Sequence, residues 1–335
     1  MTELYFNGDI DLIKNRTISI IGFGNQGRAW ASILRDSGFR VIIGNIKDSS
    51  YEAAIRAGFE TYLIEEASSK ADILALLIPD EIAPKVFYEK IENATRNKSF
   101  YVLIFASGYN ITFGFIEPPS NADTIMIAPR MIGAGILDLH KQGKGYPVLV
   151  GVAKDCSGRA WEHAKAFAQA IGAIGRPGGV AVKSSFDEET LLDLMSEQTW
   201  GPILQAAFIA YFEVLTEEFG VSPEAAILEL YASGELSEVA KYMAEIGLFE
   251  QMKLHSRTSQ YGHLTRLKRH LTSELKDKMR TSAQEILSGE FAKEWALEQL
   301  LGYPVLKRLQ KEALASKLAI FERELYRVLG RAQNK

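Results

Sequence analysis

Three groups of residues in this sequence have the types and spacing to do chemistry. The first is Gly22-Phe23-Gly24-Asn25-Gln26-Gly27, set between the apolar run "TISII" and the helical pattern "RAWASILRDSG". A strand, a glycine turn and a helix in that order bind a dinucleotide. Gly22 permits the tight turn, Gly24 lets a pyrophosphate approach the backbone, and Gly27 lets helix and strand pack closely. The helix start then aims its backbone N–H groups at the phosphates. The second group stands where apolar runs end in small residues: Pro79 and Asp80, Ser107 and Gly108, Pro129 and Arg130. Ser107 cannot ionise near neutral pH and works only as a hydrogen-bonding group. Arg130 carries a permanent charge and a planar fork suited to a carboxylate. The third group is Glu189, Asp193 and Glu197, four residues apart and hence on one helix face. Carboxylates so placed ordinarily face water. On a core-facing side they need a metal or a cation, and hard oxygen ligands suit Mg²⁺.

These residues need elements to hold them. "TISII", "FRVIIG", "ADILALLIP", "SFYVLIFASG", "ADTIMIAPR" and "YPVLVGVAK" read as strands buried on both faces, separated by helical patterns. Such alternation predicts an α/β domain with a parallel sheet. Ligands of open α/β sheets gather outside the carboxyl ends of the strands, so the first two groups should line one crevice. Beyond "VAVKSSF" the pattern is helix upon helix. The expected division is a Rossmann domain over 1–182 and a helical domain over 183–330. "YGHLTRLKRHLTSELKDKM" and "FAKEWALEQLLGYPVLKRL" read as amphipathic packing helices.

Bulk properties exclude several classes. The chain has 335 residues and a net charge of −4, which argues against nucleic acid as a partner. No apolar stretch is long enough for a membrane span. The beginning of the chain lacks the charge and apolar pattern of a signal peptide. Cys156 is the single cysteine, which fits a reducing cytosol. Just after the second strand, "GNIKDSSYE" lacks the acidic residue that an NAD reader usually places at the strand end. Lys47, Ser49 and Ser50 suit a 2′-phosphate through charge and hydrogen bonds, while Asp48 opposes one. The balance favours NADP over NAD.

Taken together, these segments resemble the short form of ketol-acid reductoisomerase. The likeness spans nearly the whole chain. "GFGNQGRAWASILRDSGFRVIIG", "LLIPDEIAPKVF", "ASGYNITFGFIEPP", "FDEETLLDLMSEQ", "SQYG" and "SGEFAKEW" follow the family's motifs in order. The resemblance implies NADPH, Mg²⁺, the conversion of 2-acetolactate-type acids to dihydroxy acids, and an all-α knotted second domain that forms a homodimer. It places two metal ligands on Asp193 and Glu197, and a second pair on Tyr231 and Glu235, or on Glu229 if the register shifts. It places the substrate-holding serine on Ser256. Where the family carries an active-site histidine this chain has Ser107, and where it carries a lysine this chain has Arg130. Glu235 joins Ser107 and Arg130 in the expected catalytic set.

The expected function is therefore a cytoplasmic NADPH-dependent oxidoreductase acting on a small 2-keto acid or a related carbonyl. One Mg²⁺ is expected rather than two, or none, with the alkyl shift weakened or lost. Two alternatives stay open: a working reductoisomerase with a rearranged site, and a non-catalytic NADPH- or metabolite-binding protein.

Overall fold

The computed structural model describes residues 2–331. Among them nine strands form one sheet: β1 Leu4–Tyr5, β2 Thr17–Ile21, β3 Arg40–Gly44, β4 Glu60–Tyr62, β5 Ile73–Leu76, β6 Tyr101–Phe105, β7 Ala122–Pro129, β8 Pro147–Lys154 and β9 Val180–Lys183. The spatial order is β1-β9-β8-β7-β6-β5-β2-β3-β4. From β4 to β7 every pairing is parallel, while β7 with β8 and β1 with β9 run antiparallel. The order reverses between β2 and β5, which is the switch point of a doubly wound sheet.

The apolar runs form strands because both faces of the sheet are covered. Successive residues alternate between two buried clusters, as the two-residue period of a strand requires. Ile18 and Ile20 of β2 join one cluster and Ile21 the other. In β5, Ile73 and Ala75 face the first, and Leu74 and Leu76 the second. Helix α1, Asn25–Asp36, buries Ala29, Trp30, Ile33 and Leu34 against the first cluster. It stops at Ser37, where Gly38 takes the left-handed conformation (φ +83°) that ends many helices. Helix α2 spans Ser49–Arg56. Two short strands, β1 and β9, extend the sheet at one edge.

The chain divides into two compact units, Met1–Leu192 and Asp193–Lys335. The second is helical among its described residues, with long helices at Gly201–Glu213, Glu235–Ile246, Arg257–His270, Ser273–Leu287, Glu290–Leu300, Pro304–Leu314 and Lys317–Val328. Its buried cluster is small: Phe212, Ala226, Ile227, Ala232 and Leu325. No helix of the described residues is long and apolar enough to cross a membrane.

Candidate active site

The glycine turn after β2 is built as a cradle. Gly22 sits at φ +98°, and a β-carbon there would lie 2.6 Å from the Leu77 carbonyl oxygen. A β-carbon on Gly27 would lie 2.0 Å from the Gly22 carbonyl oxygen, so the first turn of α1 rests on the strand end. Gly24 differs: its added β-carbon would meet nothing within 4 Å. The backbone is thus crowded on the sheet side and open where a pyrophosphate would approach. Asn25 and Gln26 begin α1, whose N-cap, Gly24, supplies no side-chain acceptor to the free N–H groups. That is the donor set an anion needs. Phe23 plays a different part: its ring is 1% exposed and packs edge-on to Phe59, so only its backbone is available to a cofactor.

The 2′ region forms at the end of β3. Asp48 caps α2, its Oδ1 accepting from the backbone N–H of Ser50 at 2.9 Å and of Tyr51 at 3.0 Å. The same oxygen accepts from Asn45 Nδ2 at 2.8 Å. The acidic side chain that opposes a phosphate in the sequence is therefore turned to its own helix start, while Lys47 and Ser49 are exposed. The pocket residues fit a phosphorylated dinucleotide.

At the carboxyl ends of β5 and β6, a cavity of about 200 Å³ is lined by Gln26, Pro79, Asp80, Ser107 and Asn110 among others. Ser107 Oγ accepts from the Tyr109 N–H at 3.2 Å, which leaves its own proton to donate elsewhere. Burial, and then the charge of Asp80, push the Tyr109 phenol up to about 12, so it stays neutral near pH 7. No histidine lines this cavity.

Arg130 follows β7, and the structure supplies a partner that the sequence leaves undefined. Its Nη2 donates to Glu189 Oε1 at 2.7 Å, and Glu189 is 1% exposed. The other oxygen of Glu189 accepts from the Gly108 N–H at 2.6 Å. Glu189 lies on the helix Phe186–Met195, which presses on the end of β6: a β-carbon on Gly108 would be 2.2 Å from the Phe186 carbonyl oxygen. Of the two readings of this helix face, solvated or core-facing with a compensating cation, Glu189 takes the second. It faces inward because a guanidinium and a backbone N–H compensate its burial. Gly108, Arg130 and Glu189 thus form one hydrogen-bonded group across two strand ends, with Ser107 next to it in the chain.

The acidic residues of the second unit are arranged less compactly. Asp193 and Glu197 follow Glu189 along the same face, where the helix widens into a π turn over Ser196–Trp200. Partial burial, and then the charge of Asp193, hold the Glu197 carboxyl above its ordinary value. Two mutually repelling carboxylates suit one Mg²⁺, which commonly takes one or two carboxylates and fills its shell with water. Among the described residues no three acids or histidines come together as a metal cage within one chain. Instead Glu235 and Glu229 both line a separate cavity with His255 and His263. Tyr231 does not line it. Its hydroxyl donates to Glu322 at 2.5 Å and its ring stacks on Phe208. The shifted register, with Glu229, is the one that puts two glutamates on one cavity wall. Ser256 caps the helix Arg257–His270, accepting from the Ser259 N–H at 3.2 Å.

Comparison with known proteins agrees with this geometry. Residues 12–178 match the family model described as "Acetohydroxy acid isomeroreductase, NADPH-binding domain". Residues 186–330 match "Ketol-acid reductoisomerase, C-terminal domain". A Saccharolobus solfataricus protein named "Putative ketol-acid reductoisomerase 3" is 55% identical, with 99% of each chain covered. A Pyrobaculum aerophilum "Ketol-acid reductoisomerase (NADP(+))" is 40% identical, covering 93% of this chain and 94% of its own. A solved "NADH-preferring ketol-acid reductoisomerase from an uncultured archean" superposes with a TM-score of 0.88 at 31% identity, covering 97% of this chain and 98% of that one. With both of its halves matched and its relatives aligned nearly end to end, the chain belongs to the ketol-acid reductoisomerase family.

Proposed function

We propose that this chain is an NADP(H)-dependent oxidoreductase that reduces a small 2-keto acid or related carbonyl, with the alkyl-shift half of its family's reaction weakened. The observation that carries the reading is the ion pair between exposed Arg130 and buried Glu189, whose second oxygen binds the backbone next to Ser107. An arginine does not release a proton in a protein, and here a carboxylate compensates its charge. Ser107 donates a hydrogen bond but does not take up and return a proton near pH 7. General acid–base help is commonly worth about 10²–10⁴ in rate, so a step that depends on it suffers accordingly. Reduction asks less of the protein: a carbonyl held in place and polarised by one donor or cation.

The proposed roles of the residues are these. The turn from Gly22 to Gly27 holds the pyrophosphate, with Phe23 contributing backbone only. Lys47, Ser49 and Ser50 hold the 2′-phosphate, and Pro79, Asp80 and Gly108 border the reacting end. NADP(H), when bound, supplies the hydride. Ser107 donates a hydrogen bond toward the substrate oxygen, and Arg130, paired with Glu189, supplies fixed positive charge at the reacting end. Asp193 and Glu197 would hold one Mg²⁺, whose chemistry would be Lewis-acid polarisation of a bound oxygen. Glu235 and Ser256 act as substrate-side residues of the helical unit.

A homodimer through the helical unit is part of this reading. Trp200 is 61% exposed, Phe219 71% and Leu300 82%, more apolar surface than a solitary helical unit ordinarily leaves to water. A second copy of the chain would cover it.

The test is NADPH oxidation with a panel of 2-keto acids, with and without Mg²⁺. Turnover of at least one 2-keto acid is expected. Tight NADPH binding with no turnover of any carbonyl would replace the reading with a binding protein.

A further inference from the structure

Two residues that line the cavity at the ends of β5 and β6 each carry a buried polar atom with no partner among the described residues. Asn110 is 1% exposed. Its Nδ2 donates to the Asp80 carbonyl oxygen at 3.2 Å and to Asp80 Oδ1 at 3.0 Å. Both partners are acceptors, so the orientation of the amide is determined: a flip would set oxygen against oxygen. Asn110 Oδ1 is therefore turned the other way, where it is buried with no hydrogen-bond partner among the described residues. Gln26 Nε2, in the wall of the same cavity, is also buried without an acceptor. A buried polar atom left unpaired is costly, and two on residues of one small cavity's wall point to a ligand that supplies a donor and an acceptor.

Position identifies which ligand. The cavity lies one strand from the switch point, at the helix start where the glycine turn would hold a pyrophosphate. Lys47, Ser49 and Ser50 stand at the end of β3, on the other side of that turn. A dinucleotide spans such a crevice with its adenosine half on the β3 side and its nicotinamide riboside on the β5–β6 side. The riboside offers hydroxyl and carboxamide donors together with ring and hydroxyl oxygens.

We infer that Asn110 Oδ1 accepts a hydrogen bond from the nicotinamide-riboside half of NADP(H), with Gln26 Nε2 donating to an oxygen of the same half. Asp80 is then a positioning residue that presents the Asn110 oxygen to the cofactor. This rests on the NADP(H) reading above, and the experiment separates the two.

The experiment is calorimetric titration of the full chain and of Asn110→Ala and Gln26→Leu with two probes: NADPH, and 2′,5′-ADP, which lacks the nicotinamide riboside. Each substitution should weaken NADPH about threefold to tenfold and leave 2′,5′-ADP within about twofold, since one hydrogen bond is worth about 0.5–1.5 kcal/mol. Thermal melts identify a variant that does not fold, in which case the other carries the test. Unchanged NADPH affinity in a folded variant overturns the inference. Equal weakening of both probes also overturns it, because the effect is then on the cavity and not on the riboside contact. If the unsubstituted chain binds neither probe, the nucleotide reading itself falls, and this inference with it.

Discussion

The sheet unit and the helical unit are both apolar in sequence, yet they treat that surface in opposite ways. In the sheet unit β6 is buried at all five residues and β2 at four of five, and both faces of the sheet carry a packed cluster. In the helical unit "GPILQAAFIAYFE" is as apolar as any strand, and Phe212 is the only buried residue of that helix. The sheet unit completes its core within one chain. The helical unit holds a five-residue cluster and leaves much of its apolar surface exposed, which the proposed second copy would cover. The cofactor cradle thus stands on the self-sufficient part of the molecule. Asp193, Glu197, Glu229 and Glu235 stand on the part with the smaller core.

The largest effects should separate the two units. Ile20→Asp places a charge in the sheet core at a fully buried position and should remove more than about 4 kcal/mol, preventing folding. Leu300→Asp, at an exposed position, should change the stability of a single chain by less than about 0.5 kcal/mol and weaken self-association at least tenfold. Circular dichroism melts measure the first and sedimentation velocity the second. Equal loss of folding in both variants would erase the distinction between the units.

A buried polar anchor of the sheet unit comes next. Asp123, at the start of β7, accepts from the Cys156 and Ser157 backbone N–H groups, the Ser157 hydroxyl and His163 Nδ1, all within 2.9 Å. Burial alone would raise its carboxyl, but the hydrogen bonds from Ser157, His163 and Cys156 outweigh it and hold the pKa below the ordinary 3.8. A carboxyl depressed on folding adds stability above its unfolded pKa and loses it as the pH falls through the folded value. Asp123→Asn should cost about 3 kcal/mol at pH 7 in urea melts. The difference between variant and parent should shrink below about pH 4. A difference that grows with acid would contradict the assignment.

The glycine turn gives a smaller and more selective contrast. Gly27→Ala meets the Gly22 carbonyl and should destabilise by about 1–3 kcal/mol. Gly24→Ala meets open space, so stability should hold within about 0.5 kcal/mol while NADPH binds about tenfold more weakly. Smallest of all, Arg130→Lys keeps the charge opposite Glu189 but loses the planar fork. The kcat/KM for a 2-keto acid should fall about threefold to tenfold, with little change in melting temperature.

What could be read without coordinates follows the range of the interactions. The glycine turn and the parallel strands depend on residues close in sequence, and both are where the pattern places them. β1 and β9 are too short to show a period, and their pairing joins residues almost 180 positions apart, so no local signal announces them. The role of Glu189 was hidden for a related reason. A carboxylate amid other acids on a helix looks solvated until Arg130, 59 positions away, is found against it. Its one sequence signal was the apolar character of the helix that follows. Asp48 does carry a local signal: an Asp before "SSYE" is a strong N-cap, so its charge is directed at the helix start. Asn110 offered none, since a single amide in a turn becomes informative only when its partners are known.

The central claim is that the cofactor crevice is complete while proton handling at its reacting end has been reduced. The most direct measurement is the ratio of kcat/KM for NADPH oxidation with a 3-hydroxy-2-keto acid, which needs reduction only, to that with 2-acetolactate, which needs the alkyl shift first. The account predicts a ratio above about one hundred, the lower end of what acid–base help contributes. Acetolactate turned over as fast as the 3-hydroxy-2-keto acid would contradict it.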